Sequence, residues 1–259
     1  MPELPEVEYA SRVLRRAVVG RRIVRVRVMH RSLEARLPPS AQRRMEGRTV
    51  RAVERRGKYQ LLHLDDGSVL LAHFRMTGDW SIGRVRESDA PYARAVLELD
   101  DGTRVTLADS RALATLTLVD DVSAALPVLG PEPDDASFTP QTLAALLSRR
   151  RGAIKPVLLD QRVVAGLGNI YAAEALWTAR ISPRVTAHSL GPARLARLVR
   201  AIHQVLRRAP AARYSAARSG SRWNVYDREG LPCRRCGHGV RRIVQAGRST
   251  FYCPFCQKR

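Results

Sequence analysis

The sequence predicts an α+β protein of several domains: an N-terminal helix with an antiparallel β-sandwich, a helical domain, and a metal-binding β-hairpin. Three observations predict this order. Apolar residues alternate with polar ones in the first half, they recur at helical spacing in the second half, and all four cysteines lie in the last 27 residues. We expect domains over 1–130, 131–222 and 223–259.

The first half is predicted to begin with a helix and to continue as strands. Apolar residues from Val7 to Val18 form a helical stripe, and Gly20 is expected to end that helix. Valines alternate with arginines over 23–28, which predicts a half-buried strand with Val24, Val26 and Val28 on one face. Asp-Asp-Gly turns separate strand-like runs, namely 59–64 from 69–74 and 95–99 from 104–108, and a further strand is expected over 115–119.

The second half follows a linker over 129–135 and is predicted to be helical. Thr139 followed by Pro140 is typical of a helix N-terminus, and this helix should run to about Arg149. Further helices are expected over 155–159, 169–178 and 192–208, the last with apolar residues on one face and arginines on the rest.

The cysteines form two Cys-x-x-Cys pairs, Cys233 with Cys236 and Cys253 with Cys256, sixteen residues apart. Two residues between cysteines let one tight turn direct both thiolates at the same ion, and two such turns complete a closed, structural zinc site. The alternative is two disulfides, but the N-terminus does not resemble a secretory signal. We therefore expect one structural Zn²⁺, with Arg248 near the tip of the hairpin between the pairs.

The charge balance indicates a polyanionic partner. Lysine and arginine together number 45 against 24 acidic residues, a net charge of +21, which favours association with nucleic acid; a merely basic or ribosomal surface is the alternative. Only three of the 45 are lysine, so Lys58 and Lys155 are candidates for roles that arginine cannot fill. No apolar run approaches the ~20 residues of a membrane helix, so no membrane partner is expected.

Pro2 and two nearby carboxylates could perform covalent chemistry. Removal of Met1 would expose a secondary amine, which attacks an aldehydic sugar carbon and gives an iminium that allows elimination. Glu3 and Glu6 could move the protons. The alternative is ordinary helix N-terminal chemistry, because proline and acidic residues are favoured in a first turn.

Other residues are ambiguous when taken singly. Gly166-Leu-Gly-Asn169 precedes a helix and could bind phosphate or only cap that helix. His73 lies at a predicted strand end, where a single histidine is more often structural than catalytic. Met76 and Leu113 would by residue type be assigned to the core.

Together these segments resemble one family, the formamidopyrimidine-DNA glycosylase and endonuclease VIII family of DNA repair enzymes. The matching segments are Met1-Pro-Glu-Leu-Pro-Glu-Val-Glu8, Arg56-Gly-Lys-Tyr59, 153–161 with 164–174, 225–230 and 248–253. With Leu4 the N-terminal segment resembles that of the oxidised-purine branch, since the endonuclease VIII branch usually has glycine at this position. The resemblance implies that the helical domain is a helix-two-turns-helix domain and the hairpin a zinc finger.

The resemblance also implies site residues. Pro2 would attack the sugar C1′, Glu3 would open the deoxyribose ring, and Glu6 would support the site. The residues expected to bind phosphates around an extruded nucleotide are Lys58, His73, Asn169, Tyr226 and Arg248, with Lys58 close enough to assist chemistry. Lys155 would lie near the damaged base, and Met76, Arg111 and Leu113 would fill the void in the duplex.

Three departures from the family pattern concern the lesion. The family's His-Leu-Gly-Met is His73-Phe-Arg-Met76 here, and leucine stands at 113 where the family's loop has an aromatic residue. The segment 211–223 is shortened and lacks the glycine-rich loop that closes over 8-oxoguanine. We therefore expect efficient cleavage at abasic sites, good excision of formamidopyrimidines, weak action on 8-oxoguanine and loose discrimination of the opposite base.

The expected activity is thus removal of damaged, oxidised or ring-opened bases by base flipping, followed by β,δ-elimination. A non-catalytic damaged-DNA binding protein of the same fold is the second hypothesis, and a structural RNA-binding protein, which leaves Pro2 and Glu3 unexplained, is the third. The resemblance implies a monomer that acts on double-stranded damaged DNA in the bacterial cytoplasm, associated with the nucleoid.

Overall fold

The computed structural model describes residues 1–209 and 222–258. Chain packing divides the protein into two compact units, the first spanning Met1–Pro127 and the second beginning at Val128. The expected three-domain division stays a prediction. In the described part of the chain, no helix is long and apolar enough to cross a membrane.

The first unit is a sandwich of two four-stranded antiparallel sheets, accompanied by α-helices. Its elements are α1 (Leu4–Val18), β1 (Ile23–Val28), a 3₁₀ turn (Arg31–Leu33), α2 (Pro39–Met45), β2 (Val50–Arg56), β3 (Tyr59–Leu64), β4 (Val69–His73), β5 (Asp79–Arg84), β6 (Ala93–Leu99), β7 (Thr103–Ala108), β8 (Thr115–Val119) and α3 (Val122–Ala125). One sheet has the order β1-β6-β7-β5 and the other β2-β3-β4-β8. The apolar stripe of α1, including Leu14, packs into the core with residues of both sheets, including Leu62 of β3 and Trp80 of β5.

Two features of this unit differ from the sequence predictions. A bulge between Ile23 and Arg25 breaks the alternation of β1, so Val24 is 55% exposed and does not share the buried face of Val26. The elements α2, β2 and β5 carry no clear periodic signal, and β2 buries only Val50 and Val53 among seven residues. Pairing with β3 places β2 in the sheet despite its arginines.

The second unit is helical and ends in a hairpin. Its elements are α4 (Pro140–Leu147), α5 (Ile154–Leu158), α6 (Asn169–Thr178), a 3₁₀ turn (Ala187–Ser189), α7 (Pro192–Arg207), β9 (Arg241–Gln245) and β10 (Arg248–Tyr252). The predicted helices are confirmed to within two residues at each end. Thr139 caps α4 as expected, its hydroxyl accepting the Thr142 N–H at 3.1 Å.

Candidate active site and nucleic-acid interface

The start of α1 fixes the backbone that follows Pro2. Pro2 and both carboxylate residues are buried. Glu3 is the N-cap and its carboxylate accepts the Glu6 backbone N–H, while Glu6 returns the contact by accepting the Glu3 N–H at 2.9 Å. This reciprocal capping box satisfies two N–H groups that a helix start leaves open. The Glu6 carboxylate therefore holds the peptide bond between Pro2 and Glu3, and both carboxylates belong to the helix start that follows Pro2.

A chain of contacts joins α1 to the turn that carries Lys58. Glu8 accepts a hydrogen bond from the Arg55 Nε at 3.0 Å, and the Arg55 Nη1 donates to the Gly57 carbonyl at 3.2 Å. Gly57 has a φ of 59° and opens the two-residue connection between β2 and β3. Glycine at this position is the pattern of a type II′ turn. Lys58, the second turn residue, is 5% exposed.

His73 ends β4 beside this turn, since Tyr59 and His73 face each other across the β3–β4 pair with ring centroids 4.7 Å apart. The pKa of His73 is lowered from 6.5 to about 4, mainly by burial and further by the nearby charges of Arg75 and Lys58. Its Nδ1 accepts the Arg75 N–H at 3.0 Å. The neutral ring therefore carries its hydrogen on Nε2, which suits it to donate to a phosphate oxygen.

Asp109 shapes the loop that presents Arg111 and Leu113. Its carboxylate accepts the N–H groups of Arg111, Leu113 and Ala114 at 3.1, 2.6 and 2.7 Å, and also the hydroxyl of Thr77. Burial raises the pKa of Asp109, but these donors outweigh burial and hold the pKa below its usual range. Thr77 belongs to the turn of Met76, so one buried carboxylate organises both segments.

The three residues expected to fill the void in the duplex are all exposed. Met76 is 38% and Leu113 is 44% exposed, and Arg111 is exposed too, so the assignment of these apolar side chains to the core is wrong. Each apolar residue directly follows a left-handed residue, Arg75 or Ala112, with a φ of 54° in both cases. Left-handed backbone costs an L-residue about 1 kcal/mol. Strained positions of this kind recur at functional sites.

In the second unit, Asn169 begins α6 and contacts the zinc-finger hairpin. Its Nδ2 donates to the Ser249 carbonyl at 3.0 Å, and its Oδ1 accepts from the Lys155 ammonium at 2.5 Å. Lys155 also donates to the Ser249 carbonyl and to the Thr250 hydroxyl, and it is fully buried. The expected position of Lys155 near a damaged base stays a prediction; here its charge links α5, α6 and β10. Ser249 follows Arg248, which is exposed.

Glu174 organises the segment of Tyr226 and was not among the residues expected from sequence. Its buried carboxylate accepts the backbone N–H groups of Asn224, Val225 and Tyr226 at 2.9–3.0 Å, and the Asn224 side-chain amide at 2.8 Å. A carboxylate only accepts hydrogen bonds, so it satisfies several consecutive amides at once. Sequence could not show this contact, because the partners lie about fifty positions apart.

The four cysteines form one metal-binding cluster. All four sulfur atoms lie within 4.8 Å of one another, with Cys233 to Cys256 at 4.0 Å and Cys236 to Cys253 at 3.6 Å. Zinc–sulfur bonds of ~2.3 Å in a tetrahedron require sulfur separations of ~3.8 Å, whereas a disulfide requires ~2.05 Å. The alternative of two disulfides is therefore wrong, and the donor set fits one structural Zn²⁺ with no position left for substrate.

One thiol of this cluster favours the charged form that a metal requires. Burial raises the pKa of Cys233, but hydrogen bonds from the backbone N–H groups of Arg235 and Cys236 and from the Trp177 indole outweigh burial and lower it, whereas burial and the neighbouring sulfurs raise the pKa of Cys253 and of Cys256.

The first unit is a sandwich in which Pro2 and two carboxylates are buried. The second unit is helical and ends in a hairpin that carries arginines and a four-cysteine metal site. This combination is typical of zinc-containing DNA glycosylases. Family models agree along the chain: the formamidopyrimidine-DNA glycosylase N-terminal domain matches 1–116, its H2TH domain 129–219, and the zinc finger found in FPG and IleRS 230–259. The chain belongs to the formamidopyrimidine-DNA glycosylase family, and it is an enzyme of that family.

Relatives and solved structures match over the full length. Formamidopyrimidine-DNA glycosylases of Rhizorhabdus wittichii and Roseiflexus sp. are 42% and 44% identical, each comparison covering 100% of both chains. A structure of MutM in complex with carbocyclic 8-oxo-G containing DNA superposes with a TM-score of 0.91 at 30% identity, covering 100% of both chains. The Lactococcus lactis enzyme bound to DNA with an AP site gives 0.89 at 30% identity, covering 99% of this chain and 100% of that one.

Proposed function

We propose that this protein is a bifunctional DNA glycosylase and AP lyase that removes oxidised or ring-opened bases from double-stranded DNA. The observation that carries the proposal is the reciprocal Glu3–Glu6 arrangement at the start of α1. It fixes the backbone beside Pro2 and keeps two buried carboxylates in the helix turn that follows Pro2. Relatives named formamidopyrimidine-DNA glycosylases, and neighbours solved with damaged DNA, support the substrate class.

The reaction begins once Met1 has been removed and the Pro2 nitrogen is free. That nitrogen attacks the sugar C1′, the bond from C1′ to the base breaks, and the base leaves with a proton. Glu3 protonates O4′ as the ring opens, which leaves an iminium between Pro2 and C1′.

The iminium accepts the electron pair released when a C2′ proton is removed, so the C3′–O bond breaks and the 3′ phosphate departs. A second elimination breaks the C5′–O bond. Hydrolysis then frees the proline from the sugar remnant.

Binding is assigned to residues in both units. In the first unit Lys58 and the neutral His73 contact phosphate, and Met76, Arg111 and Leu113 enter the space left by the flipped nucleotide. In the second unit Asn169, Tyr226 and Arg248 contact phosphate, the first through a side chain and helix start held by Lys155. The protein acts as a monomer in the bacterial cytoplasm, at the nucleoid.

Borohydride trapping on duplex DNA with an abasic site tests the chemistry. The protein with a processed N-terminus should give a covalent adduct, and Pro2→Gly or an uncleaved N-terminal tag should lose it. Pro5→Ala is the matched control, because it removes a proline from the same helix turn without changing the terminal amine. Tight binding to abasic DNA without any adduct would instead establish the non-catalytic binding protein.

A further inference from the structure

The last turn of α6 contacts the metal cluster through a tryptophan. The indole Nε1 of Trp177 lies 3.4 Å from the Cys233 Sγ and donates its hydrogen to it. Cys233 is 3% exposed, and Trp177 packs against the same apolar cluster. An indole N–H is a donor only, so this contact has one direction. Because the acceptor becomes a thiolate when zinc binds, the bond is charge-assisted and largely shielded from water.

The guanidinium of Arg235 packs on the face of the Trp177 indole ring. It lies 4.0 Å from the centre of the Trp177 ring, and its Nη1 donates to the Trp177 carbonyl at 3.1 Å. A cation over the ring draws electron density from it, which makes the indole N–H a stronger donor. Arg235 lies between Cys233 and Cys236, so the turn that directs two ligands also clamps the donor.

A four-thiolate zinc site has an excess of about two negative charges, and burying that charge is unfavourable unless donors face it. A hydrogen bond to a ligating sulfur offsets part of this cost and fixes the ligand's orientation. We propose that Trp177, clamped by Arg235, is a positioning residue of the zinc site that retains the metal and ties the finger to α6. The same helix holds Ser249 through Asn169 and the 224–226 backbone through Glu174. Metal retention therefore supports both DNA-contacting segments of this unit, whatever reaction the first unit performs.

Zinc release from the full-length, zinc-loaded protein to an excess of a chromogenic chelator tests the proposal. Trp177→Phe keeps most of the packing and removes the N–H, so release should be about tenfold faster. Trp223→Phe is the control for loss of a tryptophan from the same unit: Trp223 is buried against Tyr171, and its indole N–H has no hydrogen-bond partner among residues 1–209 and 222–258. This control should release zinc at the wild-type rate. Wild-type release from Trp177→Phe, or equal acceleration in both variants, overturns the proposal.

The contribution of Arg235 has its own matched pair. Arg235→Gln and Arg234→Gln each remove one positive charge from the same two-residue loop, and Arg235 is the residue whose guanidinium lies 4.0 Å from the centre of the Trp177 ring. Arg235→Gln should accelerate release and Arg234→Gln should do so less. Equal rates of zinc release would show that net charge near the sulfurs, and not stacking on Trp177, sets the rate. The proposed contribution of Arg235 would then be wrong.

A measurement on the wild-type chain decides the matter if Trp177→Phe does not fold. With ¹¹³Cd in place of zinc, the Trp177 indole proton should show a scalar coupling to the metal through the N–H···S bond. The indoles of Trp80, which donates to Gln60, and of Trp223 should show none. Absence of coupling at Trp177 overturns the hydrogen bond itself.

Discussion

Replacing His73 by glutamine should remove a specific loss of stability at acidic pH. The pKa of His73 is about 4 in the folded chain, because the ring is buried and two cations lie near it, against 6.5 for an unperturbed histidine. At neutral pH both the folded and the unfolded states are uncharged at this residue. As pH falls below 6.5, His73 becomes protonated in the unfolded state, whereas in the folded state it stays neutral until about pH 4. The free energy of unfolding therefore decreases between pH 6.5 and pH 4.

The magnitude follows from the difference of about 2.5 pKa units. Each unit corresponds to about 1.4 kcal/mol, so the full effect is about 3 kcal/mol, most of it lost by pH 4.5. His73→Gln should therefore lose less stability between pH 7 and pH 4.5 than the wild type, by roughly 2–3 kcal/mol. The exposed His188, changed to glutamine, is the control for loss of any one histidine.

NMR titration of the imidazole gives the pKa directly, and urea unfolding followed through signals of β3 and β4 gives the stability at each pH. The ring nitrogens should also report the tautomer with hydrogen on Nε2, since Nδ1 accepts the Arg75 N–H. A midpoint near 6.5, or equal pH dependence in His73→Gln and the wild type, would refute the argument that burial keeps the His73 ring neutral.

Three further outcomes are expected. Arg248→Ala should weaken binding to all duplexes alike and reduce the slope of log affinity against log salt by about one, because one phosphate contact is lost; weakening confined to one lesion would mean that Arg248 contacts the base. Metal analysis should find about one zinc per chain. Cys253→Ser should weaken DNA binding by disordering the hairpin while the first unit stays folded, because the free energy of metal binding at such a site stabilises the fold. Normal DNA binding by this variant would show that the finger does not contact DNA. Single-turnover rates should fall in the order abasic site, formamidopyrimidine, 8-oxoguanine, with little difference between cytosine and adenine opposite; fast excision of 8-oxoguanine opposite cytosine with rejection of adenine would contradict the altered lesion recognition. Much of that last expectation depends on the segment 211–223, and residues 210–221 lie outside the described part of the chain.

Local pattern predicted most of the secondary structure. The stripe of α1, the two Asp-Asp-Gly hairpins and the capped start of α4 are short-range signals, and the structure confirms each of them. The arginine-rich β2 and the bulged β1 were harder, because their places depend on pairing with strands that sequence spacing does not identify.

For the site, the sequence by itself determined the cysteine spacing and the acidic helix start that follows Pro2, because these arise from residues close together in the chain, and the basic charge, because it is a property of composition. Only the tertiary structure decided which groups are exposed and which are buried. It placed Met76, Leu113 and Arg248 outward and enclosed the ammonium of Lys155. It also brought Glu174 to the backbone of 224–226 and Trp177 to Cys233, over separations of 50 to 56 positions. The reason is that periodicity and spacing record contacts within a turn or a hairpin, whereas a buried polar group takes whichever donor the packing of distant elements supplies.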